Sequence, residues 1–400
     1  MKTLFISIIF ITQFFGSLAL GQTINILEDL VKQNSEKLSP VIENLDKYEI
    51  QILYTQIDRD ENGEIKFNTF SFNEKPKKYF YPASTVKLPA AVLALEKINE
   101  INVDGLNKFT HLSIDSVYEG HVSFGKNYKD ECGYPNIANY IKQIFLVSDN
   151  ESFNRLYDFL GQKEINERLK NRGFNNTKII HRLEVARTAD QNMQTNPIDF
   201  YDESGNIIYH QPERYDSIDF KLDLENTIRG KGFIQNDTLV KEPKDFSHNN
   251  YFGLRDQHNL LMRILFPEEF SKEEQFNLTL EDYKFLKKYM SMLPRESECP
   301  KYNSEEYWDS YVKFLMFGDS KEPIPRNIKI YNKVGDAYGF LTDNAYIVDE
   351  ENNVEFFLSA TLFLNENQIF NDDKYEYEEI GFPFMAKLGK IIYEYEKSKK

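Results

Sequence analysis

Alternating apolar and polar positions predict β-strands at both ends of the chain. Residues 48–72 alternate around the polar turn "DENGE", which is typical of a β-hairpin with strands near 48–58 and 64–72. The same terminal regions hold three further predicted strands and three helices of helical periodicity. The strands lie at 327–335, 342–350 and 353–365, and the helices lie at 24–47, 85–99 and 376–397. Together they predict one five-stranded antiparallel sheet covered by helices.

The middle of the chain is richer in helices and loops. Its clearest helical stretches are "NIANYIKQIFLVSDNESFNRLYDFLG" and "LRDQHNLLMRILF". Residues 186–250 are polar and irregular, which predicts an insertion with a short strand or two. We therefore predict a discontinuous α/β domain of residues 24–105 and 325–400. A mainly helical domain, 106–324, would be inserted between its halves.

The first residues are typical of an export signal. Lys2 precedes an apolar run from Leu4 to Leu20, and the small residues Ala19 and Gly21 stand at its end. We interpret residues 1–21 as a signal peptide and expect a periplasmic or extracellular protein. A retained membrane anchor is the alternative. No later segment is apolar enough to span a membrane.

Charge and cysteine content exclude several classes of ligand. The formal net charge of −16 disfavours nucleic acid as a partner. Cys132 and Cys299 could pair in an exported protein, although the sequence does not give their distance. Their spacing does not suit zinc, the six histidines are scattered, and no nucleotide-binding glycine motif occurs. We therefore expect no metal and no organic cofactor. The oligomeric state stays open.

Two Ser-x-x-Lys patterns occur, and their contexts differ. About one such match arises by chance in a chain of this length. Ser123 and Lys126 precede a predicted loop, whereas Ser84 and Lys87 precede the helical run "LPAAVLALEKI". On a helix, residues i and i+3 share a face, so Lys87 would lie beside the Ser84 hydroxyl. The helix N-terminus would also favour a developing oxyanion.

A lysine acts as a base only when it is neutral, and this requirement predicts a second cation nearby. Burial and a neighbouring positive charge both lower the pKa of a lysine. Lys333, in "YNKVGDAYGF", is the candidate neighbour. Ser148, in "LVSDNESFN", is a candidate for relaying a proton to a leaving group.

The ordered set Ser84-x-x-Lys87, Ser148-Asp149-Asn150 and Lys333-Val334-Gly335 resembles the serine β-lactamase and penicillin-binding-protein superfamily, most closely its class A branch. The resemblance covers about residues 35–400. It implies an α+β fold, β-lactamase-like, with a five-stranded antiparallel sheet flanked by helices and an inserted mainly helical domain. It also implies a small-molecule substrate, either a β-lactam or a cell-wall peptide-like compound.

The resemblance implies a role for each residue of the set. Ser84 would be the nucleophile that forms the acyl-enzyme. Lys87 would activate Ser84, and Ser148 would protonate the leaving group. Asn150 would orient the substrate amide, and Lys333 would supply positive charge. The remaining substrate-binding positions are Val334, Gly335 and Asp336, where the backbone N–H groups of Ser84 and Asp336 would form the oxyanion hole.

Class A enzymes also use a carboxylate that activates water for deacylation. Glu184, in "HRLEVAR", stands at a similar distance along the chain from Ser148, and the Arg-x-Glu pattern agrees. The Asn-bearing continuation of the family is missing after it. Glu184 is therefore either the deacylating base or an ordinary loop carboxylate paired with Arg182 or Arg187.

Two departures bear on the substrate. The family usually has Thr or Ser where this chain has Val334, and valine cannot donate a hydrogen bond. No arginine follows Val334, so an arginine clamp for a substrate carboxylate is missing from this region. Losing one charge-assisted hydrogen bond costs on the order of 1.5–3 kcal/mol.

Three hypotheses follow. The favoured one is an exported serine acyl hydrolase that opens β-lactam rings through a Ser84 acyl-enzyme, a function in antibiotic response. The second is a D,D-peptidase-like or esterase-like hydrolase of the same fold. The third is a non-catalytic binding protein that recognises its partner through the insertion at 186–250.

Overall fold

The computed structural model describes residues 25–125, 128–216 and 221–400. The predicted signal peptide, 1–21, and Lys126 of the second Ser-x-x-Lys pattern lie outside the described residues.

The terminal parts of the chain build one antiparallel sheet, as predicted. The strand nearest the candidate site, Ile328–Ala337, lies at one edge and is called the edge strand below. The other strands follow it across the sheet in the order Phe340–Asp349, Val354–Phe363, Gln51–Arg59 and Ile65–Phe72. Every neighbouring pair is antiparallel.

Both faces of this sheet are buried, which explains why its inner strands are so apolar. Successive side chains of a strand point to opposite faces. Leu53 packs in one core cluster, whereas Ile52 and Tyr54 pack in the other. The second cluster lies between the sheet and the terminal helices and includes Leu388 and Ile392.

The first predicted helix is shorter than the sequence suggested. The helix Ile26–Gln33 ends long before residue 47, and a turn region with two short helical segments follows, Ile42–Asn44 and Leu45–Tyr48. Asn34 caps the end of the first helix. Pro40 then prevents one helix from running through to residue 47, because proline lacks an N–H donor and its ring clashes with the preceding turn. The final helix, Phe382–Ser398, begins after a π-helical turn at Tyr377–Gly381.

The segment between the halves of the sheet carries the remaining longer helices. One of them, Lys87–Glu100, follows the candidate nucleophile and is called the nucleophile helix below. The others are Ile137–Val147, Asn150–Leu160, Gln162–Asn171, Ala189–Met193, Leu254–Leu265 and Leu280–Ser291, with 3₁₀ turns at Ala83–Val86, Pro267–Glu269 and Pro294–Glu296.

The insertion at 186–250 holds more strands than predicted. Its strand Gly232–Gln235 pairs in parallel with Ile369–Phe370, so the insertion is attached to the loop after the main sheet. Such non-local pairing of short strands has no local sequence signature. The short strands of the molecule are His111–Ile114, Thr177–Lys178, Gln194–Thr195, Ile198–Tyr201, Ile207–Gln211, Arg214–Tyr215, Ile228–Arg229, Gly232–Gln235, Thr238–Val240, Lys244–Asp245, Tyr251–Phe252 and Ile369–Phe370.

The two cysteines form a disulfide. Cys132 and Cys299 have Cα atoms 5.4 Å apart and join segments separated by 167 positions in the chain. Among the described residues, no helix combines the length and the apolar character that crossing a membrane requires.

Candidate active site

Ser84 lies in the 3₁₀ turn Ala83–Val86, which continues directly into the nucleophile helix. Backbone N–H groups in the first turn of a helix have no acceptor within the helix, so they are available to a ligand. The edge strand passes very close to this turn at Gly335. A Cβ on that glycine would lie 2.6 Å from the Pro82 carbonyl oxygen and 2.9 Å from the Ser84 nitrogen. Only glycine permits this approach.

Two lysines converge on one serine. The Lys87 Nζ donates to the Ser148 carbonyl oxygen and, over 3.3 Å, to the Ser148 Oγ. The Lys333 Nζ donates to the same Oγ over 2.8 Å. Residues from three distant parts of the sequence therefore meet at the Ser148 hydroxyl. We call Lys87, Ser148 and Lys333 the lysine–serine cluster.

Local backbone chemistry places Ser148 at this point. It ends the helix Ile137–Val147 in the left-handed conformation, with φ of 59°. Asp149 then caps the next helix, because its side chain accepts from the Ser152 backbone N–H over 2.6 Å. Ala83 and Glu184 also have positive φ, 46° and 60°. Strained non-glycine residues of this kind gather at functional sites, where the surrounding structure holds them.

Burial leaves a neutral amine available near pH 7. Lys87 is fully buried, and desolvation lowers its pKa to about 7 against the opposing effect of Asp149, Asp336 and Glu184. Desolvation also lowers the pKa of Lys333 well below its ordinary value, and the neighbouring Lys87 lowers it further. The positive charge expected of Lys333 is therefore weakened by its burial. The pair carries fewer than two charges at neutral pH.

Asn150 connects the cluster to Glu184. Its Oδ1 accepts from the Lys87 Nζ over 2.5 Å, and its Nδ2 donates to the Glu184 Oε2 over 2.7 Å. Glu184 is exposed and lines the same cleft as Ser84. The two arginines considered as its partners bind elsewhere: Arg182 pairs with an aspartate of the core, and Arg187 donates to backbone carbonyls.

Val334 corrects one expectation about substrate binding. Its side chain is 2 % exposed and packs in the core cluster between the sheet and the terminal helices. The side chain therefore does not face the cleft, and only its backbone can reach a ligand. Its carbonyl oxygen already accepts from the Lys333 Nζ over 2.9 Å. Asp336, two residues on, is exposed at the cleft.

The cleft around Ser84 is large, about 1520 Å³, and much of its wall was not predicted from the sequence. The insertion, the segment just before it, the turn after the edge strand and the segment before the π-helical turn contribute that wall. The unpredicted lining residues that matter below are Lys178, His181, Lys244, Tyr338 and Tyr375. Tyrosines and lysines of this kind look like core or surface positions in a sequence.

One group of potential metal ligands was found within the described ranges, formed by Glu131, Cys132 and Cys299. Both sulfur atoms of that group are engaged in the disulfide, so neither is a thiolate ligand.

Comparisons with known proteins agree with the fold. The model of the β-lactamase enzyme family matches residues 33–207. A β-lactamase from Desulfarculus baarsii DSM 2075 superposes with a TM-score of 0.50 at 13% identity, covering 91% of this chain and 97% of that chain. A class A β-lactamase from Clostridium kluyveri DSM 555 has a TM-score of 0.49 at 16% identity, covering 91% and 98%. The structure of PBP-A gives 0.49 at 15% identity, covering 92% and 95%. A search of curated proteins finds no match.

The sheet topology, the family match and the β-lactamase superposition confirm the predicted fold class, α+β and β-lactamase-like. The chain is similar to the β-lactamase enzyme family over residues 33–207, and its fold is that of the β-lactamases it superposes on. At these identities the likeness to solved structures shows the fold, and it leaves the substrate open.

Proposed function

We propose that this chain is an exported serine acyl hydrolase that opens β-lactam rings through an acyl-enzyme at Ser84. The observation that carries the proposal is the convergence of Lys87 and Lys333 on the Ser148 hydroxyl, beside the turn that holds Ser84. A buried ion pair would not explain this arrangement, since two amine side chains share one hydroxyl. Perturbed amines in a cleft are typical of catalytic sites.

Acylation is assigned to Ser84 and Lys87. Neutral Lys87 accepts the proton of Ser84 as the Oγ attacks the carbonyl carbon of the ring. The backbone N–H groups of Ser84 and Asp336 stabilise the oxyanion. The ring C–N bond then breaks, and Ser148 passes a proton to the leaving nitrogen, drawing on the two lysines bound to its Oγ.

Deacylation is assigned to Glu184. Its carboxylate lines the cleft and is positioned by Asn150. It takes a proton from a water molecule as the water oxygen attacks the ester carbonyl. The bond between the acyl carbon and the Ser84 Oγ then breaks, and Glu184 returns the proton to that Oγ. The pairing with Arg182 or Arg187 that would have made Glu184 a structural carboxylate does not occur.

The test is turnover of a penicillin and of a chromogenic cephalosporin by the mature chain. Ser84→Ala should abolish turnover. Ser123→Ala is the matched control, because Ser123 belongs to the second Ser-x-x-Lys pattern and its hydroxyl accepts from the Ser116 backbone. Turnover that persists in Ser84→Ala would contradict the proposal.

A second candidate keeps the acyl-enzyme and changes the substrate to an ester or a D,D-peptide. The side-chain direction of Val334 and the missing arginine favour the ester, because both remove contacts to the carboxylate that a lactam and a D,D-peptide carry. Turnover of simple esters without any turnover of lactams would select this candidate. A non-catalytic binding protein would show neither activity.

A further inference from the structure

The insertion places an uncompensated cation in the wall of the cleft. Lys244 lies on the short strand Lys244–Asp245 and lines the cleft that contains Ser84. Its Nζ lies 5.1 Å from the ring centre of Phe233, 5.5 Å from that of Phe246 and 5.3 Å from that of Tyr338. The aromatic rings hold the ammonium in place and face it with their electron-rich surfaces.

The cross-strand neighbour of Lys244 shows what is missing. Arg229 stands directly opposite on the paired strand, and both of its terminal nitrogens bind the carboxylate of Glu49, at 2.9 and 2.8 Å. Within the described ranges no carboxylate forms such a pair with Lys244. Burial lowers the pKa of Lys244.

A half-buried ammonium without a counter-ion is costly, and the rings recover only part of that cost. A second lysine adds to the positive potential: Lys178 lines the same cleft, and both lysines lower the pKa of His181. This end of the cleft is therefore positive in a chain of net charge −16. An anionic ligand group would supply the missing partner.

The reaction geometry fixes which part of a substrate would reach Lys244. The lysine–serine cluster protonates the leaving group, so the leaving group lies toward Lys333. The acyl portion extends the other way along the edge strand, past Gly335 toward Tyr338, whose ring neighbours Lys244. Three residues of extended chain span on the order of 10 Å.

We propose that Lys244 binds a carboxylate at the far end of the acyl portion of the substrate. This inference rests on the proposed function for the position of the reacting carbonyl. The native substrate is then an acyl compound with a carboxylate far from the reacting carbonyl. Lys244 binds this carboxylate, whereas the buried side chain of Val334 provides no such contact. Glu184, Asp336 and Asp373 also line the cleft, so the carboxylate must reach beyond them.

The test uses matched aryl esters of dicarboxylic acids, from succinate to sebacate, each with its terminal carboxamide counterpart. At one chain length, kcat/KM should favour the carboxylate roughly ten- to a hundredfold, and added salt should reduce this ratio. Lys244→Met should lose the ratio, while Lys244→Arg should retain most of it. Lys241→Met is the control, since Lys241 is an exposed lysine close by in the chain.

Binding separates this inference from the proposed function. Non-hydrolysable amide analogues of both series are titrated calorimetrically into Ser84→Ala, alone and combined with Lys244→Met. A binding preference for the carboxylate that disappears in Lys244→Met supports the assignment of Lys244, even if no ester is turned over. Absence of ester turnover would contradict only the proposed function. Equal affinity for carboxylate and carboxamide at every length overturns the anchor, and this comparison needs no Lys244 variant to fold.

Discussion

Glu184→Gln should affect the two halves of the reaction in opposite directions. Glutamine still accepts the hydrogen bond that Asn150 donates to Glu184 over 2.7 Å, so the loop geometry is preserved. It cannot take a proton from water, and hydrolysis of the acyl-enzyme should slow by about 10²–10⁴-fold, the usual contribution of a general base. It also removes a negative charge that raises the pKa of Lys87.

The size of the second effect follows from the connecting atoms. Lys87 and Glu184 are joined through the side-chain amide of Asn150 by hydrogen bonds of 2.5 and 2.7 Å. With about 2.3 Å across the amide, the two charges lie within about 7.5 Å. At an effective dielectric constant of about 40–80, suited to an exposed carboxylate, their attraction is about 0.5–1 kcal/mol. The pKa of Lys87 should fall by about 0.4–0.8 units.

The sign of this shift gives an unusual result. Acylation needs neutral Lys87, whose pKa is about 7, so its rate rises with pH through that value. In Glu184→Gln this rise of the acylation rate with pH should occur at lower pH. At pH 6 acylation should therefore become roughly two- to fourfold faster while the acyl-enzyme accumulates.

Rapid-quench intact-mass measurement from pH 5.5 to 9 follows both steps. Glu203→Gln is the control, because Glu203 is an exposed carboxylate in a turn of the insertion. Unchanged deacylation would show that Glu184 is only a loop carboxylate. A rise of the acylation rate that moves to higher pH in Glu184→Gln would refute the electrostatic reasoning.

Three further substitutions test the packing around the site. Gly335→Ala should abolish acylation in a rate assay with little change in circular dichroism, because its Cβ would lie 2.9 Å from the Ser84 nitrogen; a rate near wild type would contradict the close approach. Val334→Thr, which restores the hydroxyl of the family, should leave lactam turnover unimproved and lower the free energy of unfolding by about 1–3 kcal/mol, because that hydroxyl would be buried. Denaturant titration measures this loss, and a gain in turnover would show that residue 334 reaches the substrate. Replacing Cys132 and Cys299 by serine should cost about 2–5 kcal/mol by the same titration, and an unchanged midpoint would show that the disulfide does not stabilise the fold.

The fold was predictable because its signals are local. Strand alternation located all five strands of the sheet, and the motif order indicated the resemblance with which the fold agrees. The convergence of Lys87, Ser148 and Lys333 follows from that order together with the sheet topology. The strand predictions succeeded because the periodicity of apolar residues along a strand is visible in the local sequence.

The rest depended on tertiary context. The side chain of Val334 points into the core because of the pleat phase of the edge strand, and a motif does not give this phase. The exposed state of Glu184 depends on where the arginines near it find partners. Lys244 lines the cleft from an insertion whose strand Gly232–Gln235 pairs with Ile369–Phe370, more than 100 positions away. Non-local pairing of such short strands leaves no periodic signal.

The most direct test of the account is peptide mapping of the covalent adduct. The mature chain is incubated with a penicillin and with an aryl ester, quenched in acid, digested and analysed by mass spectrometry. Ser84 should carry an acyl group after reaction with at least one of the two reagents. This adduct should persist in Ser123→Ala and be absent in Ser84→Ala. An adduct on another residue, or hydrolysis that continues in Ser84→Ala, would contradict the account.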